Sequence, residues 1–425
     1  MKAAGPLLLW GLVAFPMALA QSPQDPTIVG YVTRAASGSD FDVNGLRVLC
    51  NEQTVTLVQI DEEKAEKIQG CPRHAPYFGE PVNLLSVVRR KNQAFEAKRI
   101  GFPLTEEGPV TGSAIIEACK EPVRGAPQSS ELLLRADGYW IRIGRQTHIK
   151  FIPPLSTLAD VKPGDWMEYE GAKKTDGEVT AVSAKIGRNV PSKSEKNLKE
   201  EYDPVVTANA KLAYSKGPPE EELDPQNIPL FSDREMQGRV IAIGEKLVPA
   251  FQRDLPDSDP AKIHFRFHVI GANRPREPVA LPNGIVLIPH QVVERMQNDA
   301  QLAAVLAYGI AWALEREEFR LRPTKERVGL AALNALWTTA LFPSIVIEGQ
   351  LSFIAEAKEQ STRVSLELLH DAGYDIDQAP IAWWLLGSKQ PRPVAKIDLP
   401  ERAAYLYRIL GETRYSPAAK AVQAD

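Results

Sequence analysis

Apolar and polar positions recur with two different periods along this chain, and the change of period divides it. From 28 to 187 the apolar residues come in short runs broken by turn residues, which predicts β-strands. Two units there follow one order of events. The first runs through Ile28–Val32, Asp40–Val48 around Asn44-Gly45, Phe78–Leu84 and Phe95–Ile100. The second runs through Thr111–Ile115, Arg135–Ile143 around Asp137-Gly138, Lys162–Tyr169 and Val182–Ile186. Asn-Gly and Asp-Gly suit a type I′ hairpin turn, whose two central residues need positive φ. The repetition predicts two related β-modules, 28–104 and 110–187.

Between 188 and 227 no period holds. Pro191–Glu201 is polar, Pro218–Pro225 breaks helix at both ends, and the stretch predicts a linker, with 203–214 free to pack on the next domain. From about Leu230 the period becomes helical. Ser232-Asp-Arg-Glu235 has a capping-box pattern ahead of Ile241, Ile243, Leu247, Val248 and Phe251. Strands are expected at Lys262–Ile270 and Val279–Ile288, then a helix over Leu302–Glu317 capped by Asn298 with Gln301. Leu302, Val305, Leu306, Gly309, Ile310, Ala313 and Leu314 give that helix one buried face. Tyr308 and Trp312, four apart, lie one above the other on another face.

Composition changes this picture in three places. A net charge of −4 over 425 residues gives no electrostatic case for nucleic acid. Lys2, the apolar Leu7–Met17 and Ala18-Leu19-Ala20 read as a signal peptide over 1–20, so the mature chain is expected in the periplasm or secreted, an uncleaved anchor being the alternative. In such a compartment Cys50 and Cys71, which share one unit, are the first candidates for a bridge, with Cys119 left over; free buried thiols are the other reading. The segment 328–347 carries no charge, yet Asn334, Thr338-Thr339 and Pro343 favour a buried or interfacial helix, with peripheral membrane contact, over a span. Residues 414–425 read as a tail.

The β-modules resemble OB-type barrels, which often present one open face to a ligand; a spacer role is the alternative. Trp140, Trp166 and Tyr169 are candidates for a ligand platform, although core packing uses the same residues.

The helical part, 228–413, resembles the M48 metallopeptidases. The motifs that carry the resemblance are Ala280-Leu-Pro-Asn-Gly-Ile285, the Leu302–Arg316 helix, Leu366–Asp375, and Pro400-Glu-Arg402 before Tyr405-Leu406. The fold implied is an N-terminal all-β pair of barrels followed by an α+β, mainly helical, zincin-like domain. Members of that family hold zinc with two histidines at i and i+4 of one helix and an acid on a later helix, beside a general base. Aligned on that pattern, Tyr308 and Trp312 replace the histidines, Gly309 replaces the base, Gln360 replaces the third ligand, and Thr362 replaces the Asp after it. Bulky apolar rings at the ligand positions imply a filled site. His264 and His268 share a strand face, but their separation of roughly 13 Å is beyond one zinc; His290 and His370 have no partner by spacing.

The resemblance therefore implies a pseudopeptidase with no catalytic residue and no cofactor. It would bind peptides or unfolded, assembling envelope proteins along a cleft strand that includes Ala280, Leu281, Pro282, Gly284 and Ile285. Two rivals stand beside it. One is an active zinc peptidase with non-standard ligands; the other is a cell-envelope polymer binder acting through the β-modules.

Overall fold

The computed structural model describes residues 28–59, 65–72, 75–90, 94–102, 108–120, 132–174, 177–201, 206–207, 228–271, 277–317, 319–320, 344–387 and 400–415. The expected signal peptide, Pro218–Pro225, most of the uncharged 328–347 stretch and most of the tail lie outside these residues.

The first β-module contains β1 (Ile28–Ser37), β2 (Asp40–Val43), β3 (Leu46–Leu49), β4 (Val55–Gln59), β5 (Ala65–Gln69), β6 (Pro81–Arg89) and β7 (Phe95–Phe102). β1, β2 and β3 form an antiparallel meander; β3 then pairs in parallel with β7, and β6 pairs antiparallel with β7 and β1. This closes a five-stranded barrel around Val32, Phe41, Val48, Leu84 and Ile100, all fully buried. The β4–β5 hairpin, which no sequence signal pointed to, extends the sheet from β7. Cys50 and Cys71 are joined in a disulfide that ties the end of β3 to the end of this hairpin, while Cys119 remains a thiol.

The second module has the same connectivity. It contains β8 (Gly108–Lys120), β9 (Leu132–Ala136), β10 (Tyr139–Ile143), β11 (His148–Phe151), β12 (Trp166–Lys173) and β13 (Val179–Gly187). β8, β9 and β10 form the meander, β10 pairs in parallel with β13, and β12 closes the ring onto β8. The addition to the sheet also falls at the same place, with β11 parallel to β13 as β4 is to β7 in the first module. Both hairpin turns have the positive φ that their sequences require: 51° and 75° at Asn44-Gly45, 58° and 66° at Asp137-Gly138.

Residues after the second barrel depart from the expected free linker. Lys193–Glu201 form a helix, α1, and its Glu195 is almost completely buried. Beyond it, β14 (Val206–Thr207) pairs in parallel with β15 (Ile228–Pro229).

The C-terminal part is mainly helical. α2 (Arg234–Leu247) is capped by Asp233, which accepts hydrogen bonds from the amides of Glu235 and Met236, so the cap lies one residue beyond Ser232. α3 (Ala250–Arg253) follows. A three-stranded sheet is built from β16 (Arg266–Ile270), β17 (Val279–Ala280) and β18 (Ile285–Pro289), in the order β16-β18-β17. The strand expected over Val279–Ile288 is thus two strands folded back on each other, because Gly284 at φ 87° turns the chain between them. α4 (His290–Arg295), α5 (Asp299–Leu314), α6 (Ser344–Asp371), α7 (Gln378–Gly387) and α8 (Glu401–Tyr415) complete the domain. No helix among the described residues is long and apolar enough to cross a membrane.

Asn298 caps α5 as expected, accepting from the Gln301 amide at 2.9 Å; the return bond from Gln301 goes to the amide of Gln297 rather than to Asn298. The expectation of one buried face was too modest. α2, α6, α7 and the sheet all pack on α5, and between Gln301 and Leu314 only Trp312 is not fully buried. A helix with no charged residue after its first turn has no face to offer to water.

The hairpin tip of each barrel is docked on this domain. A Cβ on Gly45 would lie 2.2 Å from the Trp384 ring, and one on Gly138 would lie 2.6–2.7 Å from the Cβ and carbonyl carbon of Arg363. Glycine is needed at both tips for this approach as well as for the turn. The tips thus serve as contacts between barrel and helices.

Candidate functional site

Toward the C-terminal end of α5, Tyr308 and Trp312 do stand one above the other, their ring centres 6.0 Å apart. A third ring joins them from α7: Trp383 meets Tyr308 edge-on at 5.3 Å. Between Tyr308 and Trp383 lies the guanidinium of Arg402, from the first turn of α8, 3.9 Å from the centre of each ring. Its other end is held by Glu277 at 2.9 Å. A guanidinium held between two desolvated rings is worth about 2 kcal/mol or more.

This donor set does not suit zinc. Burial pushes the Tyr308 hydroxyl up to about 12 despite the pull of Arg402, so it keeps its proton. Indoles have no lone pair to give, and the fixed positive charge of Arg402 repels a dication. Among the described residues no cluster of three histidines, cysteines or acids has metal-binding geometry.

Gly309, expected at the position of the general base, faces the sheet. A Cβ there would sit 2.9 Å from a methyl of Val286 and 3.9 Å from the Cβ of Ala280. The residue lets α5 approach β17 and β18 closely. A glutamate would be driven into valine.

Gln360 is buried on α6 and is hydrogen-bonded to three residues outside the aromatic pair. Its Nε2 donates to the Ser113 carbonyl and to Glu315, both at 3.0 Å, and its Oε1 accepts from Arg320 at 2.8 Å. The Thr362 hydroxyl donates back to the Lys358 carbonyl within the same helix. Gln360 and Thr362 are thus engaged with residues other than Tyr308, Gly309 and Trp312.

The cleft residues divide. Leu281 and Pro282 meet Trp312, Arg316 and Glu195 around a space of about 10 Å³, room for about one water. Ala280 and Ile285 are buried, and Gly284 backs onto Ile263, 2.5 Å from where its Cβ would be. An extended peptide cannot add along the whole of Ala280–Ile288 as expected, because β18 is the central strand with both edges paired. α1 further covers this corner: Glu195 makes a bidentate pair with Arg316, which also bonds Asn189 and lies over Trp166.

The aromatic residues of the second barrel also have structural uses. Tyr169 is buried, its hydroxyl donating to Asp137 at 2.8 Å; Trp166 donates to Ser113 at 3.0 Å; Trp140 lies under Lys120.

The main polar feature escaped the sequence reading. Gln360, Arg363, Glu367 and Asp371 recur at spacings of three and four along α6 and face the second barrel. Arg363 donates to the carbonyl and the carboxylate of Asp137 and to the Tyr405 hydroxyl. Arg135, on β9, meets Glu117 at 3.1 Å and Glu367 at 2.9 Å, and also pairs with Asp371. The signal was present as a polar stripe at helical spacing, but such a stripe reads as a solvated face unless a partner is known.

One guanidinium cannot neutralise three carboxylates, so Glu117, the most buried, keeps a proton. Burial pushes it up to about 8 against the pull of Arg135; burial likewise pushes Glu317 up to about 8 against Arg320, and Glu315 well above the usual range. In the unfolded chain these acids titrate near about 4.3. The native state then holds more protons than the unfolded state, and the stability this contributes is lost progressively as pH rises from about 4.3 and is gone once it passes about 8. Urea denaturation is expected to show stability falling by about 2 kcal/mol between about pH 7 and 9. A flat or rising profile would mean these carboxyls are ionised in the fold.

Neither a known protein family nor a curated protein matches this chain.

Proposed function

We propose that this chain is a binding protein whose helical domain has an M48-like plan without the chemistry of a peptidase. The observation that supports this best is Arg402 seated between Tyr308 and Trp383, a cation with aromatic walls where the alignment expects a metal. The four motifs in order along 228–413 support the family reading, and the ligands it would act on are peptides or unfolded, assembling proteins. An exported protein acting on envelope proteins follows from the leader-like first twenty residues and from analogy with that family alone. The docked hairpin tips at Gly45 and Gly138 favour the barrels as a platform for the helical domain over an independent polymer-binding role.

Metal analysis and a cleavage assay on one sample test this. The purified mature protein is expected to carry no stoichiometric zinc and to leave unfolded casein intact. Stoichiometric zinc with chelator-sensitive cleavage would overturn the reading in favour of an enzyme with unconventional ligands.

A further inference from the structure

The corner around Trp312 is nearly full, but a groove of about 1030 Å³ lies elsewhere, where the second barrel meets the helical domain. That is at the upper end of the range for ligand pockets. One wall is the loop from α3 to β16, and it is rigid by construction. Lys262 donates to three carbonyls, those of Gln252, Arg253 and Leu255, at 2.8–2.9 Å. The buried Gln252 amide holds the same loop from the other side, donating to the Ala261 carbonyl and accepting from the Ile263 amide. The opposite wall is the turn before β12 with the segment after β13, clamped by Arg188, whose Nη1 donates to both carboxylate oxygens of Asp165 at 2.8 Å.

The lining combines apolar surface with uncommitted positive charge. Val190, at 60% exposure, and the half-buried Phe251 and Leu255 give it apolar patches open to water. Three of its acids are ion-paired, Asp165 with Arg188, and Asp371 and Glu117 with Arg135. Its exposed cations are not. Lys162, Lys246 and Arg253 come from three different elements, and among the described residues none of them is in an ion pair; Lys246 lies 4.2 Å from the centre of the Tyr374 ring. Asp254 and Asp259 stand against them, and Asp371 shares its one cation, Arg135, with Glu117 and Glu367.

We propose that this groove is the ligand site, and that it takes an extended peptide segment in which carboxylates alternate with apolar side chains. Three separated cations call for a ligand with several spaced negative charges, and the apolar patches between them call for side chains that cover valine and phenylalanine. The proposal rests on the reading of the chain as a binding protein, and moves the site from the aromatic corner to the interdomain groove.

The test uses the full mature chain and two fluorescein-labelled peptides, one of alternating Glu and Leu, the other of alternating Lys and Leu. The Glu-Leu peptide is expected to bind, more weakly as salt is raised, and the Lys-Leu peptide is not. Lys162→Glu, Lys246→Glu and Arg253→Glu combined are expected to weaken binding at least about tenfold, a loss of about 1.4 kcal/mol. Val190→Asp is expected to weaken it independently. All four positions are exposed, so circular dichroism and the urea midpoint should be unchanged. Binding of the Glu-Leu peptide that survives these substitutions would overturn the groove and leave a binding protein with its site elsewhere. If neither peptide nor unfolded casein binds, the binding reading itself falls. Tight binding of inorganic tripolyphosphate that displaces no peptide would assign the cations to a small polyanion, and would also overturn the proposal.

Discussion

Replacing Arg363 with methionine is expected to lower folding stability by about 3–5 kcal/mol, measured by urea denaturation. Among the described residues the guanidinium is the only cation bonded to Asp137, whose side chain is 3% exposed, and it also holds the Asp137 carbonyl and the Tyr405 hydroxyl. Methionine keeps the stem that packs against Gly138 and removes only the charged head, so the loss reports an uncompensated buried carboxylate rather than a cavity. Asp137→Asn in the same chain should recover much of the loss. Asparagine tolerates the φ of 58° at this turn, still accepts from Tyr169, and carries no charge to strand. If the single replacement costs less than about 1 kcal/mol, the barrel is not held to α6 by this pair, and the account of the interface is wrong.

Gly309→Glu is expected to destabilise the helical domain by at least about 3 kcal/mol. Its Cβ would lie 2.9 Å from a Val286 methyl, and its carboxylate would enter an apolar layer formed by Ala280, Val286 and the wholly buried flank of α5. Gly309→Ala has the same Cβ and no charge, so the difference between the two variants isolates burial of the carboxylate from crowding. Thermal or urea unfolding of both, beside the unaltered protein, gives the comparison. A glutamate accepted without loss would mean that there is space beside the sheet for a general base. The account of a site closed by packing would then fail.

These two positions show how legibility varies along the chain. Gly309 could be placed on the helix from sequence, because apolar spacing over sixteen residues leaves little choice of helix face. What it faces could not, since Val286 and Ala280 reach it only through the sheet. Arg363 carried no signal of its own: an arginine in a polar stripe looks the same whether it meets water or an aspartate from another domain. Arg402 was noticed only as part of a motif, and its place between two rings depends on α7 and α8 folding back over α5.

Local physics is therefore what the chain alone determined. The Asn44-Gly45 and Asp137-Gly138 turns, the alternation that builds two barrels of one connectivity, and the Asn298 cap all depend on residues within a few positions of each other. The tertiary structure alone decided the rest: that both turns are docked on the helical domain, that β18 is a central strand, that α1 belongs to the fold, and that a cation fills the aromatic corner. Each of these depends on which surface is removed from water by a segment far along the sequence. A pattern of apolar and polar positions states that a surface will be covered, but not by what.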